Sequence, residues 1–216
     1  MTTPELPELS VLPELCRQRV RHLLASGGRK ILALVAPPGA GKSTLAQTLL
    51  SHFGGVLQVV PMDGFHLANS ELLRLGRRGR KGAPDTFDAA GYVNLLARLK
   101  AQQPGDAAVY APEFRRDLEE AVAGAIAVHA QTPLIVTEGN YLLLEDAPWA
   151  QVRTLVDECW YLDVPPALRQ ARLLARHRQF GRTHEAALAW MEQTDEPNAA
   201  RIAQTRQRAD RFVPWI

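Results

Sequence analysis

The chain has 216 residues and a formal net charge of +2. This length fits one domain, or one domain with an inserted cap, and it is enough to bury roughly 70% of the unfolded chain's surface. Apolar residues make up 46% of the chain and charged residues 22%, which excludes a disordered or fibrous protein. So small a net charge gives no argument for nucleic acid or membranes, and we expect neither as a partner.

Two features favour a cytoplasmic protein. No apolar run reaches the ~18 residues of a spanning helix, and the N-terminal stretch MTTPELPELS lacks the basic-then-apolar order of a secretion signal. Cys16 and Cys159 are isolated and lack the spacing of metal ligands, so we expect two reduced thiols. The oligomeric state stays open, with a homodimer as one option.

The chain begins with a predicted leader, a helix and a strand. Residues 1 to 12 hold Pro4 and Pro7 among acidic residues, and each proline denies a helix an interior N–H, so we expect a frayed leader there. Helical spacing then predicts a helix from Pro13 to the glycine pair at 27 and 28. The apolar run 31–35 predicts a buried strand.

The stretch APPGAGKST, residues 36–44, follows this strand and leads into a segment of helical composition. In such a strand, loop and helix, glycines let backbone N–H groups turn towards a phosphate, and the N-terminus of the helix attracts the same anion. Lys42 would reach the β- and γ-phosphates, and the Ser43 hydroxyl would coordinate Mg²⁺. The spacing therefore predicts a Walker A loop for ATP and Mg²⁺, with nucleotide-binding residues Pro38, Gly39, Ala40, Gly41, Lys42, Ser43 and Thr44.

Ala36 departs from the Walker A pattern, which usually begins with glycine. An alanine fits only if it ends the strand at negative φ.

Two further predicted strands end in polar side chains. The strand 56–60 leads to Asp63 and His66, and the strand 134–137 ends at Glu138. In parallel sheets, ligands bind at the carboxyl ends of the strands. Glu138 is therefore a candidate for the Mg²⁺ shell, with capping of a neighbouring helix as the alternative. His66 is a candidate substrate ligand, with a structural role as the alternative.

Residues 65–132 break the alternation of strands and helices, and we expect them to form a cap over the substrate. Within them, residues 74–82 pack five cations among three glycines, which predicts a mobile loop. It would be a solvated basic turn or an anion-contacting loop. A nucleic-acid patch is the poorest option because no aromatic residues interleave. An amphipathic helix near residues 92–99 and an extended piece at 109–116 follow.

Residues 166–193 form the expected lid. A strand at 159–164 precedes a helix from Ala167 to about Phe180 that carries several arginines. Such a helix either presents its arginines to solvent or forms a lid on triphosphate. Arginines suit a lid because the guanidinium fork stabilises charge on a transferring phosphoryl group. Residues 212–215 predict a short fifth strand.

The order of these motifs resembles the phosphoribulokinase, uridine kinase and type I pantothenate kinase family of P-loop small-molecule kinases. The resemblance spans residues 30–213 and rests on APPGAGKST, PMDGFHL, KGAPDTFD, YAPEFRR, VTEGNYLL, RHRQFGRT and TDEPNA. It looks closest to the bacterial branch of nucleoside/nucleotide kinase-like or fructose-transport-system kinases. It implies one α/β P-loop kinase domain over 1–216, with three α/β/α layers and about five parallel strands. The leader and first helix would occupy 1–28, followed by the cap and the lid.

The resemblance also implies residue roles. Asp63 would take or position the proton of the substrate hydroxyl, with Lys42, Arg178 and Arg182 as the other catalytic residues. The implied substrate-binding residues are His66, Tyr110, Phe114, Arg115 and Glu138, and the implied metal ligands are Ser43 and Glu138.

We therefore expect ATP-dependent phosphoryl transfer to a hydroxyl of a small metabolite, a sugar such as fructose or a related polyol. The alternatives are a nucleoside or pantothenate as acceptor, or a nucleotide-dependent regulatory module that performs no transfer. The basic loop favours an acceptor with a phosphate or carboxylate, unless its cations serve ATP.

Overall fold

A computed structural model describes residues 12–216. Its helices and strands are, in chain order, α1 (Glu14–Ala25), β1 (Lys30–Val35), α2 (Lys42–Phe53), β2 (Leu57–Pro61), α3 (Asn69–Arg74), α4 (Ala89–Ala101), β3 (Val109–Arg115), β4 (Glu120–Val128), β5 (Leu134–Gly139), α5 (Val152–Leu155), β6 (Glu158–Asp163), α6 (Pro166–Gln179), α7 (His184–Trp190), α8 (Glu196–Gln204) and β7 (Arg211–Pro214). The main sheet has the order β2-β5-β1-β6-β7 and all its neighbouring strands are parallel. The carboxyl ends of these strands therefore meet at one edge.

Strand β1 shows why the sheet has helices on both faces. Its side chains alternate between two apolar clusters: Ile31 and Ala33 belong to one, and Leu32 and Leu34 to the other. The first cluster includes the apolar face of α4, and the second includes α1 and α2. A parallel sheet is covered in this way because its strands are apolar on both faces. The predicted three-layer α/β/α fold with five parallel strands is confirmed.

The predicted cap segment, 65–132, has two different parts. Helix α4 packs on the sheet through Tyr92, Leu96 and Leu99, which are fully buried, so it belongs to a helical layer. Strands β3 and β4 form a separate antiparallel hairpin with many exposed positions. Within this segment, the hairpin, α3 and the turns that precede α4 are the parts that can cover a site.

The predicted N-terminal leader lies almost wholly outside the described residues. The exception is its last residue, Leu12, which is buried in the cluster under α1 rather than frayed. Cys16 and Cys159 are buried free thiols, and burial raises the pKa of Cys16 to about 11. None of the helices between residues 12 and 216 has the length and apolar character needed to cross a membrane.

Candidate active site

The glycine-rich loop between β1 and α2 has the backbone that its sequence predicts. Gly39 and Gly41 adopt φ of 82° and 85°, values that residues other than glycine rarely adopt. Among the described residues, Glu119 is the one non-glycine residue at positive φ. Ala36, which directly follows β1, therefore has negative φ, as the Walker A hypothesis requires. Helix α2 begins at Lys42, directly after the loop, and its N-terminal N–H groups form an anion site.

Lys42 is held inside this loop. Its Nζ donates hydrogen bonds to the carbonyl oxygens of Ala36 at 2.9 Å and Pro37 at 3.3 Å, and to Oδ1 of Asn140 at 2.6 Å. Burial lowers the pKa of Lys42 to about 8, while the charges of Glu138 and Asp63 act in the opposite direction. The amine therefore lies beside two carboxylates at the strand edge, where it can exchange its protein partners for a phosphate.

Ser43 and Glu138 make the contact expected of the predicted metal pair. The Ser43 hydroxyl donates a hydrogen bond of 2.8 Å to Oε1 of Glu138, and burial, followed by the charge of Asp63, raises the pKa of Glu138. A hydroxyl beside a carboxylate suits Mg²⁺, which takes oxygen ligands and often needs only one or two from the protein beside substrate phosphates. The described residues contain no group of three or more His, Cys, Asp or Glu side chains around one point.

Two glycines bring Asp63 to this pair. A methyl group on Gly139 would lie 2.7 Å from Cβ and Sδ of Met62, so glycine there lets the turn that carries Asp63 pack against the end of β5. A methyl group on Gly64 would overlap the carbonyl oxygen of Pro112 in β3. The glycines of the EG and DG pairs thus permit two close backbone approaches, one to each side of the Asp63 turn.

These elements surround a cavity of about 580 Å³, a volume within the usual range for small-molecule sites. The predicted residues that line it are Pro38, Lys42, Ser43, Asp63, His66, Phe114, Glu138 and Arg182. The predicted residues outside its lining are Gly39, Ala40, Gly41, Thr44, Tyr110, Arg115 and Arg178. The first four belong to the loop and the start of α2, where a phosphate would be bound by backbone N–H groups rather than by side chains.

Three of the predicted residues do not line the cavity because their positions turn them away from it: Tyr110, Arg115 and Arg178. Tyr110 is 60% exposed on the outer side of the hairpin, and Arg115 pairs with Asp117 in solvent. On α6 the inner face is set by Arg169, Leu173 and Arg176, spaced four and three residues apart. Arg178 lies two residues further on and is exposed, because two residues rotate a helix by more than half a turn. Arg176 takes the inward position in its place.

The rings of His66, Phe87 and Phe114 form an aromatic wall beside Asp63. The ring of His66 lies 4.0 Å from that of Phe87 and 4.7 Å from that of Phe114, centroid to centroid. Nδ1 of His66 is 2.8 Å from the carbonyl oxygen of Asp63. Since a carbonyl only accepts, Nδ1 carries the hydrogen and Nε2 is left as an acceptor. Burial lowers the pKa of His66, so the ring is neutral near neutral pH.

The predicted lid segment, 166–193, adds cations to the lining of the cavity. Arg176 is largely enclosed, and burial lowers its pKa, while the guanidinium of Arg182 stacks 4.1 Å from the ring of Trp190. Nε2 of His177 lies 2.7 Å from Oδ2 of Asp195, which ends a π-helical turn at Met191–Asp195. Such turns occur often at functional sites.

Several cavity residues were not among the predicted site residues. Asn140 could have been found from its place two residues after Glu138 at a strand end, and Arg176 from its helical phase with Leu173. The pair of His177 and Asp195 had no such signal, because the two residues lie on different helical segments.

The basic segment 74–82 is a structured turn rather than the predicted mobile loop. Arg80 makes two hydrogen bonds to the carboxylate of Asp85, and Arg77 adds an ion pair of 3.4 Å to it. Arg74 pairs with Glu71 on the surface. The remaining two cations, Arg78 and Lys81, line the cavity.

No protein-family model matches the chain, but individual relatives do. The chain is 35% identical over 191 residues to "Uncharacterized protein YggC" of Escherichia coli, covering 86% of this chain and 77% of that protein. It is 34% identical over 205 residues to "Putative uridine kinase C227.14" of Schizosaccharomyces pombe, covering 90% and 86%. The crystal structure of a "putative fructose transport system kinase" from Silicibacter sp. TM1040 has 39% identity and a TM-score of 0.84, covering 94% of this chain and 99% of that one.

Proposed function

We propose, since the chain belongs to the family of P-loop kinases, that it transfers the γ-phosphoryl group of ATP to a hydroxyl of a small metabolite. One observation carries the proposal: Lys42, Ser43, Glu138 and Asp63 face a single cavity. A site that only sensed a nucleotide would not need Asp63 beside the metal pair. The acceptor we favour is a sugar or related polyol.

The donor half of the reaction rests on the glycine-rich loop. The N–H groups that open α2 would bind the β- and γ-phosphates, and Lys42 would leave its carbonyl partners for the same oxygens. Ser43 and Glu138 would hold Mg²⁺. When bound, Mg²⁺ neutralises charge on the phosphate oxygens. Arg176 and Arg182 would contact the charge that develops during transfer.

The acceptor half rests on Asp63. The hydroxyl oxygen forms a bond to the γ-phosphorus, the bond from that phosphorus to the β–γ bridging oxygen breaks, and ADP leaves with the bridging oxygen. The hydroxyl proton passes to the Asp63 carboxylate. Little other covalent chemistry is needed, because phosphoryl transfer depends mainly on alignment and charge neutralisation.

A nucleoside is the second candidate acceptor, and the aromatic wall favours it. The rings of His66, Phe87 and Phe114 offer flat apolar surface next to Asp63, on which a base could stack.

A coupled assay of ADP release, run with a panel of sugars, polyols, nucleosides and pantothenate, tests the proposal. We expect ADP release to depend on one class of acceptor and on Mg²⁺. If every acceptor gives only the background hydrolysis of ATP, the kinase proposal fails and a nucleotide-dependent regulatory module becomes the better account.

A further inference from the structure

The five cations of the basic segment 74–82 fall into two groups. Arg74, Arg77 and Arg80 are bound by the carboxylates of Glu71 and Asp85 and hold the turn together. Arg78 and Lys81 line the cavity instead. Within residues 12–216, the guanidinium of Arg78 makes no hydrogen bond or ion pair with a protein group, although its backbone carbonyl oxygen accepts a hydrogen bond from the N–H of Lys81. One positive charge is therefore presented to the cavity without a structural partner.

Lys81 also keeps donor capacity for a ligand. Its Nζ donates to Oδ1 of Asn69 at 2.8 Å and to the carbonyl oxygen of Glu119 at 2.5 Å. An ammonium has three N–H donors, so one is left, and the nitrogen lies 5.1 Å from the centre of the Phe114 ring. Phe114 is the ring that also contacts His66. Lys81 is thus tied to the tip of the hairpin and reaches over the aromatic wall.

Lys81 lies on the His66 side of Asp63, and Arg78 is a charged neighbour of Lys81. The charged neighbours of Lys42 are Glu138, Asp63 and two arginines of α6. The charged neighbours of His66 are Asp63, Lys81 and Glu119. Asp63 is thus a charged neighbour of both Lys42 and His66. Lys81 belongs with His66, because its Nζ lies over the Phe114 ring that His66 also contacts.

Two carboxylates, those of Glu120 and Glu119, are charged neighbours of Lys81, and Glu120 has the larger effect on its pKa. The Glu120 carboxylate accepts hydrogen bonds from the backbone N–H of Asn69. Glu119 lines the cavity. Its backbone is held in the left-handed region, at φ 54°, by the bonds from Lys81 and Asn69 to its carbonyl oxygen. Its carboxylate has no ion pair within the described residues, yet it lines the cavity. Left-handed backbone in a non-glycine residue stores strain and is commonest at functional sites. A free carboxylate there would accept hydrogen bonds from substrate hydroxyls.

We infer that the acceptor carries an anionic group, a phosphate or a carboxylate, which Arg78 and Lys81 bind while its hydroxyl meets Asp63. The inference rests on the proposed phosphoryl transfer and narrows its substrate class to anionic polyols. A guanidinium and an ammonium that both have free donors suit the planar or tetrahedral oxygens of such groups. A neutral sugar would leave the guanidinium of Arg78 in the cavity lining without a partner.

Matched acceptor pairs test the inference in the ADP-release assay: fructose against fructose 6-phosphate, ribose against ribose 5-phosphate, glycerol against glycerate, and uridine against uridine monophosphate. We expect turnover with an anionic member and little with its neutral partner, and the phosphate and glycerate arms separate the two anions. Turnover with the neutral members alone overturns this inference and leaves the proposed function standing. ADP release that depends on no acceptor overturns both.

Two variants that each remove one positive charge from the same segment provide a second test. Arg78→Gln removes the unpaired cation, and Arg74→Gln removes a cation four residues earlier that pairs with Glu71 outside the cavity. With the anionic acceptor, Arg78→Gln is expected to lower kcat/KM by roughly 10- to 100-fold, the range for one charged hydrogen-bond partner, with the KM for ATP unchanged. Arg74→Gln is expected to leave both unchanged. If Arg78→Gln instead raises the KM for ATP, its charge serves the nucleotide and the inference is wrong.

Discussion

The hydroxyl of Ser43 donates a hydrogen bond of 2.8 Å to the carboxylate of Glu138, although 95 residues separate them in the chain. This contact joins the first turn of α2 to the carboxyl end of β5. The two strands involved, β1 and β5, are direct neighbours in the sheet, with Leu34 opposite Glu138. The pairing of β1 with β5 therefore brings these two residues together.

Loss of this hydroxyl should weaken metal-dependent activity. Ser43→Ala is expected to raise the Mg²⁺ concentration needed for half-maximal turnover by at least roughly 10- to 100-fold, the range found for groups that support metal sites. Ser51→Ala is the control, because Ser51 lies on the same helix and bonds only the carbonyl oxygen of Gln47. Equal Mg²⁺ requirements in the two variants would remove Ser43 from the metal site.

Asp63 should matter for transfer and not for nucleotide binding. Asp63→Asn keeps the side-chain size but cannot accept the hydroxyl proton, so turnover should fall by roughly 10²- to 10⁴-fold, while ATP affinity in a fluorescence titration stays near wild type. Asp117→Asn, in the exposed hairpin turn, removes a carboxylate that pairs only with Arg115 and should change neither quantity. Wild-type turnover by Asp63→Asn would show that another group handles the proton.

ATP binding should require glycine at position 39, because the packing around the loop leaves no room for a side chain there. A methyl group there would lie 2.6 Å from the carbonyl oxygen of Arg169, so Gly39→Ala is expected to distort the loop and abolish measurable ATP binding by calorimetry. Gly55→Ala is the control, since Gly55 has a similar φ of 86° but nothing within 4 Å of the added methyl. It should cost about 1–2 kcal/mol of stability and leave ATP affinity intact. If Gly39→Ala binds ATP normally, close packing behind the loop is not required.

Arg169 should stabilise the loop from behind. It donates two hydrogen bonds of 2.7 Å to Glu196 and one of 3.2 Å to the carbonyl oxygen of Pro38, with only 8% of its side chain exposed. Arg169→Ala is expected to lower the free energy of unfolding by on the order of 3 kcal/mol, measured in urea. Arg201→Ala breaks an exposed pair with Asp146 and should cost less than about 1 kcal/mol. Similar losses in both variants would contradict a structural role for the Arg169 bridge.

Much of the main sheet could be predicted because its signals are local. The strands at 31–35 and 134–137 are short apolar runs, and both were found within a few residues of their true bounds. Strand β4 was missed because its sequence, EAVAGAIAV, consists largely of small residues around Gly124 and lies in an exposed hairpin. Pairing with β3 stabilises β4, and the residues of β4 alone do not predict that pairing.

The sequence by itself determined the donor half of the site. The spacing of Gly39, Gly41, Lys42 and Ser43 predicts the loop because its positive φ values need glycine at fixed positions. The strand-edge rule placed Asp63 and Glu138 beside it. The tertiary structure decided which arginine of α6 faces the cavity, since that depends on how the helix is rotated against the loop. It also decided that Arg78 and Lys81 face inward while Arg74, Arg77 and Arg80 pair with carboxylates, because the position of a side chain in a folded turn depends on partners such as Asp85 and the hairpin tip.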